Sequence, residues 1–135
     1  MWGRHVGGTM RWPVGAIIIG LGAMAFAPAL AAERVPVRVG GEARYDACAG
    51  TSTVVGLTRG SGHTLNVRAG PGLSFPAVDA LKPHAKVIVC DAQGEWRGIV
   101  YPAGTTDCET GSPIPRRVAY AGPCRSGWVH SRYLG

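Results

Sequence analysis

Apolar and polar residues are arranged differently in the two parts of this chain. Residues 14–26 (VGAIIIGLGAMAF) form an uncharged, almost wholly apolar run, whereas beyond residue 33 the apolar positions fall into short runs separated by turn formers. Leu65 and Val67 alternate with Asn66 and Arg68, the period of a strand with one buried face, and Gly70-Pro71-Gly72 ends it. Residues 85–90 (AKVIVC) and 96–101 (WRGIVY) are β-branched and aromatic runs around polar residues 91–95, which predicts a β-hairpin. Residues 54–57 and 127–130 are further short strands, and residues 58–63 (TRGSGH) read as a turn. Val78 and Leu81 are expected to reach the core from an irregular loop. Residues 33–46 lack sustained periodicity and read as a linker or loosely held arm. No stretch carries a convincing helical period, so the expected class is all-β, a barrel or sandwich of short strands.

The apolar run changes the picture of where the protein works. Arg4 and Arg11 precede it and Ala29-Leu30-Ala31 follows, the layout of an export signal cut after Ala31 or Ala32. An uncleaved anchor is the alternative, because residues 12–32 carry no charge over nearly the ~20 residues needed to span a bilayer. Pro13, Pro28 and several glycines oppose that reading. No cysteine sits at the cut, so no lipid anchor is expected there. The expected organisation is a signal over residues 1–31, an arm over 32–47 and one small domain over 48–135.

Loss of Arg4 and Arg11 lowers the net charge from +6 to about +4. A basic domain meeting anionic headgroups, wall polymers and acidic proteins outside the cytosol is not expected to bind nucleic acid. Arg116, Arg117, Arg125 and Arg132 read as scattered, solvated cations rather than a basic face.

Cys48, Cys90, Cys108 and Cys124 support export, since four cysteines in a small secreted domain imply two disulfides with three possible connectivities. No Cys-x-x-Cys pair is present, which disfavours a structural zinc site. The favoured pairing is Cys48 with Cys90, tying the N-terminal strand to the domain, and Cys108 with Cys124, closing a local loop. A cross-link over that loop is worth ~3 kcal/mol in the chain-entropy account.

The ordered set of residues 65–72 (LNVRAGPG), 75–78 (FPAV), 79–81 (DAL), 86–89 (KVIV), 94–96 (GEW) and 127–134 (GWVHSRYL) resembles the bacterial SH3 domain. The resemblance covers nearly all of residues 50–135. It implies a small SH3-like barrel of about five to six short strands, with residues 102–123 as a long disulfide-stapled insertion before the last strand. Residues 58–63 also lengthen the approach to the first motif.

Candidate chemistry is sparse. His63, His84 and His130 and the carboxylates form no nucleophile-base motif, Ser61 near His63 lies in a turn, and the cysteines are consumed in disulfides. Neither a phosphate-cradling glycine loop nor a His-Glu-x-x-His metal motif occurs. No catalytic residue, metal or cofactor is therefore expected. Binding is better supported. The resemblance implies a shallow groove with Trp96, Tyr133 and Phe75 as aromatic walls and Asn66, Arg68 and His130 as polar partners, whereas Trp128 is expected to be structural. Stiff aromatic surface with polar tips suits peptide recognition. The expected protein is a periplasmic or secreted, noncatalytic module that recognises cell-wall peptide or a periplasmic protein. The alternatives are a scaffold acting through residues 102–123 and a regulatory accessory of a cell-wall hydrolase.

Overall fold

The computed structural model describes residues 33–57 and 63–135, with isolated positions among the first 24. Much of the expected signal segment with its cleavage region, and all but His63 of the turn expected over residues 58–63, lie outside the described residues. Among the described residues, no helix is long and apolar enough to cross a membrane.

The domain is all-β and antiparallel. Its strands are β1 (Arg38–Val39), β2 (Gly50–Thr53), β3 (Leu65–Arg68), β4 (Ala77–Leu81), β5 (Lys86–Gln93), β6 (Trp96–Tyr101), β7 (Val118–Ala119) and β8 (Arg125–His130), followed by a 3-10 turn over Ser131–Tyr133. Six form one sheet in the order β2-β5-β6-β8-β3-β4, while β1 and β7 pair as a separate ribbon. The six-stranded sheet is not closed strand to strand. Past β2, however, Thr53 and Gly135 exchange backbone hydrogen bonds and Val54 bridges Leu134, so the C-terminal residues return beside the first strand of that sheet.

The expected hairpin forms around a shorter turn than its polar residues suggest. Gln93 pairs with Trp96 and leaves Gly94-Glu95 at the tip, with Gly94 at φ 56° in the left-handed region that a two-residue hairpin favours. The extra length of β5 comes from a bulge between Val89 and Asp91. A bulge re-aims the residues beside it. Here Asp91 is turned inward, 8 % exposed, where Arg38 N–H donates to its Oδ2 and the Ala92 N–H and the Arg117 guanidinium to its Oδ1. A buried carboxylate requires such partners. Arg117 is thus committed to an internal ion pair, and Arg125 likewise bonds Asp79.

Side-chain alternation divides the interior in two. Ile99 and Tyr101 of β6 and Val129 of β8 face a core completed by Val54, Leu65, Val67, Leu81 and Val87. Their neighbours Val100 and Trp128 point to the opposite face and pack with Val37 and Cys108. Trp128 is therefore structural. Its ring is fully buried and its Nε1 donates to the Val35 carbonyl oxygen at 2.8 Å.

This second core corrects the reading of the N-terminal arm. Val37 and Val39 are each only 2 % exposed, the Val35 N–H bonds the Ala69 carbonyl, and β1 pairs with β7 of the insertion. The physical reason is that β6 and β8 are apolar on both faces, so the face turned from the main core needs a cover. The arm and residues 102–123 supply it together. The expectation for Val78 is also corrected: residues 77–81 form the regular strand β4, in which Leu81 is buried but Val78 is 38 % exposed.

Both disulfides form with the favoured pairing, Cys48–Cys90 and Cys108–Cys124. The first ties the end of the arm to the β5 bulge, and the second closes the insertion onto β8. Two formed disulfides are the chemistry of an oxidising compartment.

Candidate ligand-binding groove

The antiparallel register of β6 and β8 places Trp96 opposite His130, so their rings meet edge-to-face with centroids 5.5 Å apart. The chain then enters the 3-10 turn, which swings Tyr133 to the other side of His130 at 6.5 Å and 74° between ring planes. Strand pairing and turn together build a row of three rings, Trp96, His130 and Tyr133.

His130 is held at both ring nitrogens. The Arg132 backbone N–H donates to Nδ1 at 3.2 Å, capping the turn, and Nε2 lies 3.1 Å from Glu95 Oε2. A nitrogen that accepts carries no proton, so the hydrogen-bond network assigns the proton of the neutral ring to Nε2, which donates to Glu95. Glu95 is positioned by the Gly94-Glu95 turn, and its carbonyl accepts the Ser131 N–H. The turn thereby locks the centre of the aromatic row. The Arg132 guanidinium stands 5.4 Å from the centre of the Tyr133 ring, within cation-π range.

β3 supplies polar groups beside the row. Its alternation buries Leu65 and Val67 and leaves Asn66 exposed and Arg68 half-buried. Arg68 donates through one terminal nitrogen to the Phe75 carbonyl oxygen at 2.9 Å and so braces the loop between β3 and β4. Leu73, 78 % exposed, stands on that loop. These side chains line one cleft of about 610 Å³ together with Leu57 and Thr64, within the ~300–1,000 Å³ range of small-ligand sites.

Five of the residues singled out from the sequence, Asn66, Arg68, Trp96, His130 and Tyr133, meet at this cleft. Phe75 does not line it. Its ring lies against Gly70, where a Cβ would stand 2.5 Å from the ring carbons, so Phe75 fills the inside of its own turn. Leu73 holds the exposed apolar position instead. Sequence reasoning also passed over Glu95 and Arg132. The signal for Glu95 was its place at the tip of the hairpin that opens into Trp96, and that for Arg132 was its place between two ring residues.

A second polar cluster joins β4, β6 and β8. The Tyr101 hydroxyl donates to Asp79 Oδ2 at 2.8 Å, and Arg125 reaches the same oxygen at 3.3 Å. The hydrogen bond from Tyr101 is the chief reason that the Asp79 carboxyl is held below its ordinary 3.8, against the opposing effect of desolvation. Burial, and then the nearby Asp79 charge, push the Tyr101 hydroxyl well above its ordinary 10.0. This cluster works as a clamp across strands, with its protons held in place. Among the described residues no group of His, Cys, Asp and Glu is placed to hold a metal ion.

The geometry provides broad aromatic surface, a fixed imidazole, an exposed amide and two arginines, which is the equipment for holding an extended ligand. Compared with family models, curated proteins and solved structures, the chain matches none.

Proposed function

We propose that this protein is an exported, noncatalytic, bacterial SH3-like module that binds peptide, from the cell wall or from a periplasmic protein, along the groove beside Trp96. The observation that carries the reading is the row Trp96-His130-Tyr133, fixed by β6, β8 and the 3-10 turn and open to a cleft that Asn66 and Arg68 also line. Rings that are already positioned lose little freedom when a ligand arrives, so they give affinity at small entropic cost. Asn66, which offers both donor and acceptor, would fix a peptide backbone in register. The six-strand antiparallel order, and the C-terminal residues lying back against β2, support the SH3-like assignment. The two disulfides support a periplasmic or secreted location.

The groove is favoured over residues 102–123 as the working surface. The insertion has contacts of its own with the arm and within its loop: β7 pairs with β1, Ile114 bridges Glu42, and the Tyr120 hydroxyl donates to the Cys108 carbonyl while accepting the Cys124 N–H. Most of its side chains are exposed, but no aromatic row is built on it. Its contacts hold the arm over Trp128.

The test is cosedimentation of the protein with purified peptidoglycan. Wild type should pellet, and Trp96→Ala should weaken binding by about thirtyfold, the loss typical of a central aromatic contact. Trp96 also packs against the second core, so Tyr133→Ala and a near-ultraviolet circular dichroism comparison accompany it. Wild type remaining in the supernatant would overturn the cell-wall reading. Capture of a periplasmic protein that is lost in both variants would then assign the groove to a protein ligand.

A further inference from the structure

The charges of the groove are unequal in their commitments. Glu95, its one carboxylate, is engaged by His130 Nε2 at 3.1 Å. Arg68 bonds the Phe75 carbonyl through a single nitrogen, leaving the other terminal nitrogen and Nε with no partner among the described residues. Arg132 is exposed, forms no ion pair among the described residues, and is steadied only by the Tyr133 ring beneath it. Two guanidinium groups therefore border the cleft with donors to spare, against one carboxylate, Glu95, which is largely exposed and accepts a hydrogen bond from His130. Apolar Leu57 and Leu73 also line the cleft, and neither offers a hydrogen bond.

We infer that the groove selects an extended peptide carrying a carboxylate, which Arg132 and Arg68 receive while the aromatic row and the leucines take neighbouring aliphatic groups. This rests on the peptide-groove reading and adds the charge of its ligand. Guanidinium is suited to the task because its planar fork matches the two oxygens of a carboxylate. The Tyr133 face limits the freedom of Arg132 before the ligand arrives, so less ordering is needed on binding.

The carboxylate can belong to a chain terminus or to an acidic side chain. Three synthetic probes separate these sources: acetyl-Ala-Ala-Leu-Ala as free acid, the same peptide as its amide, and acetyl-Ala-Glu-Leu-Ala amide. Binding to the full chain with its disulfides formed is followed by tryptophan fluorescence and calorimetry at low salt. One or both acidic probes should bind at least about fivefold more tightly than the neutral amide, the scale of a partly exposed ion pair, and the gap should narrow as salt rises. Arg132→Gln, a change at an exposed side chain, should narrow the gap between acidic and neutral probes while Arg68 keeps part of it, and Arg132→Glu should close or reverse it. Equal affinity for all three probes, with Trp96→Ala still weakening each, would overturn the carboxylate inference and leave the peptide groove standing. No binding of any probe would remove both.

Discussion

Truncating Val37 to alanine tests whether the N-terminal arm is part of the fold. Val37 is 2 % exposed and packs with Val100, Cys108 and Trp128. Its methyl carbons lie 3.0 and 3.3 Å from where a Cβ on Gly98 would stand, so β6 approaches it without a gap. Two buried carbons at ~0.8 kcal/mol each give about 1.6 kcal/mol of transfer free energy. The cavity left in a rigid neighbourhood raises the cost to about 2–3 kcal/mol. In urea this appears as a midpoint lowered by about 1–2 M with the slope unchanged, read by tryptophan fluorescence on the full chain. Arg38→Ala is the control, because Arg38 is exposed and it is its backbone N–H that bonds Asp91. It should move stability by less than ~0.5 kcal/mol. If Val37→Ala were as mild as its neighbour, the second core would contribute nothing and the arm would be the linker that its sequence suggests.

Three further outcomes follow from the same contacts. Gly70→Ala forces a methyl into the Phe75 ring and should cost about 1–3 kcal/mol in thermal or urea denaturation, whereas Gly111→Ala, where nothing lies within 4 Å of the new carbon, should be neutral. Asp79 is depressed in the fold, so its contribution is present above pH 3.8 and is lost as acidification passes through the folded value. Tyr101→Phe removes the largest cause of that depression and should flatten the acid limb of a stability-pH profile. It should also remove the loss of stability expected as pH rises beyond 10.0, since the buried Tyr101 hydroxyl resists ionisation in the fold. Replacing Cys48 and Cys90 together by serine opens a sequence separation of 42 and should cost about 4 kcal/mol, against about 3 kcal/mol for Cys108 and Cys124, whose separation is 16. Equal midpoints for the two double variants would contradict the loop-length argument.

Much of the sheet was legible because its signals are local. The alternation in LNVR placed β3 with its correct face inward, and the runs AKVIVC and WRGIVY placed the central hairpin. The turn was read as too long because Asp91 and Gln93 are polar. A bulge at Cys90 and a buried ion pair with Arg117 keep them in the strand. In the candidate groove, the ring residues Trp96 and Tyr133 and the polar residues of β3 could be nominated from motif position. Phe75, nominated as a wall, turns against Gly70 while Leu73 stands exposed at the cleft, because the facing direction within a loop has no period to reveal it.

By itself, the sequence determined the all-β class, strands β3, β5, β6 and most of β8, and the supply of cysteines for two cross-links. These depend on composition and on periodicity within a few residues. The strand expected over residues 54–57 forms at Gly50–Thr53 instead, and β4 stands where an irregular loop was expected. In the fold, β6 is buried on both faces from Gly98 to Tyr101. What covers them was decided only in three dimensions, where the Val35 carbonyl accepts the Trp128 Nε1 hydrogen bond from 93 residues away and β1 pairs Arg38 with Ala119 and Val39 with Val118 of β7. The arm does alternate over Val35, Val37 and Val39, but the run is short and broken by Pro36 and Gly40-Gly41, and its burial depends on a surface formed by residues far along the chain. The aromatic row has the same origin. Trp96 and His130 become neighbours through the register of β6 and β8, and only the turn that follows brings Tyr133 and Arg132 to the same cleft.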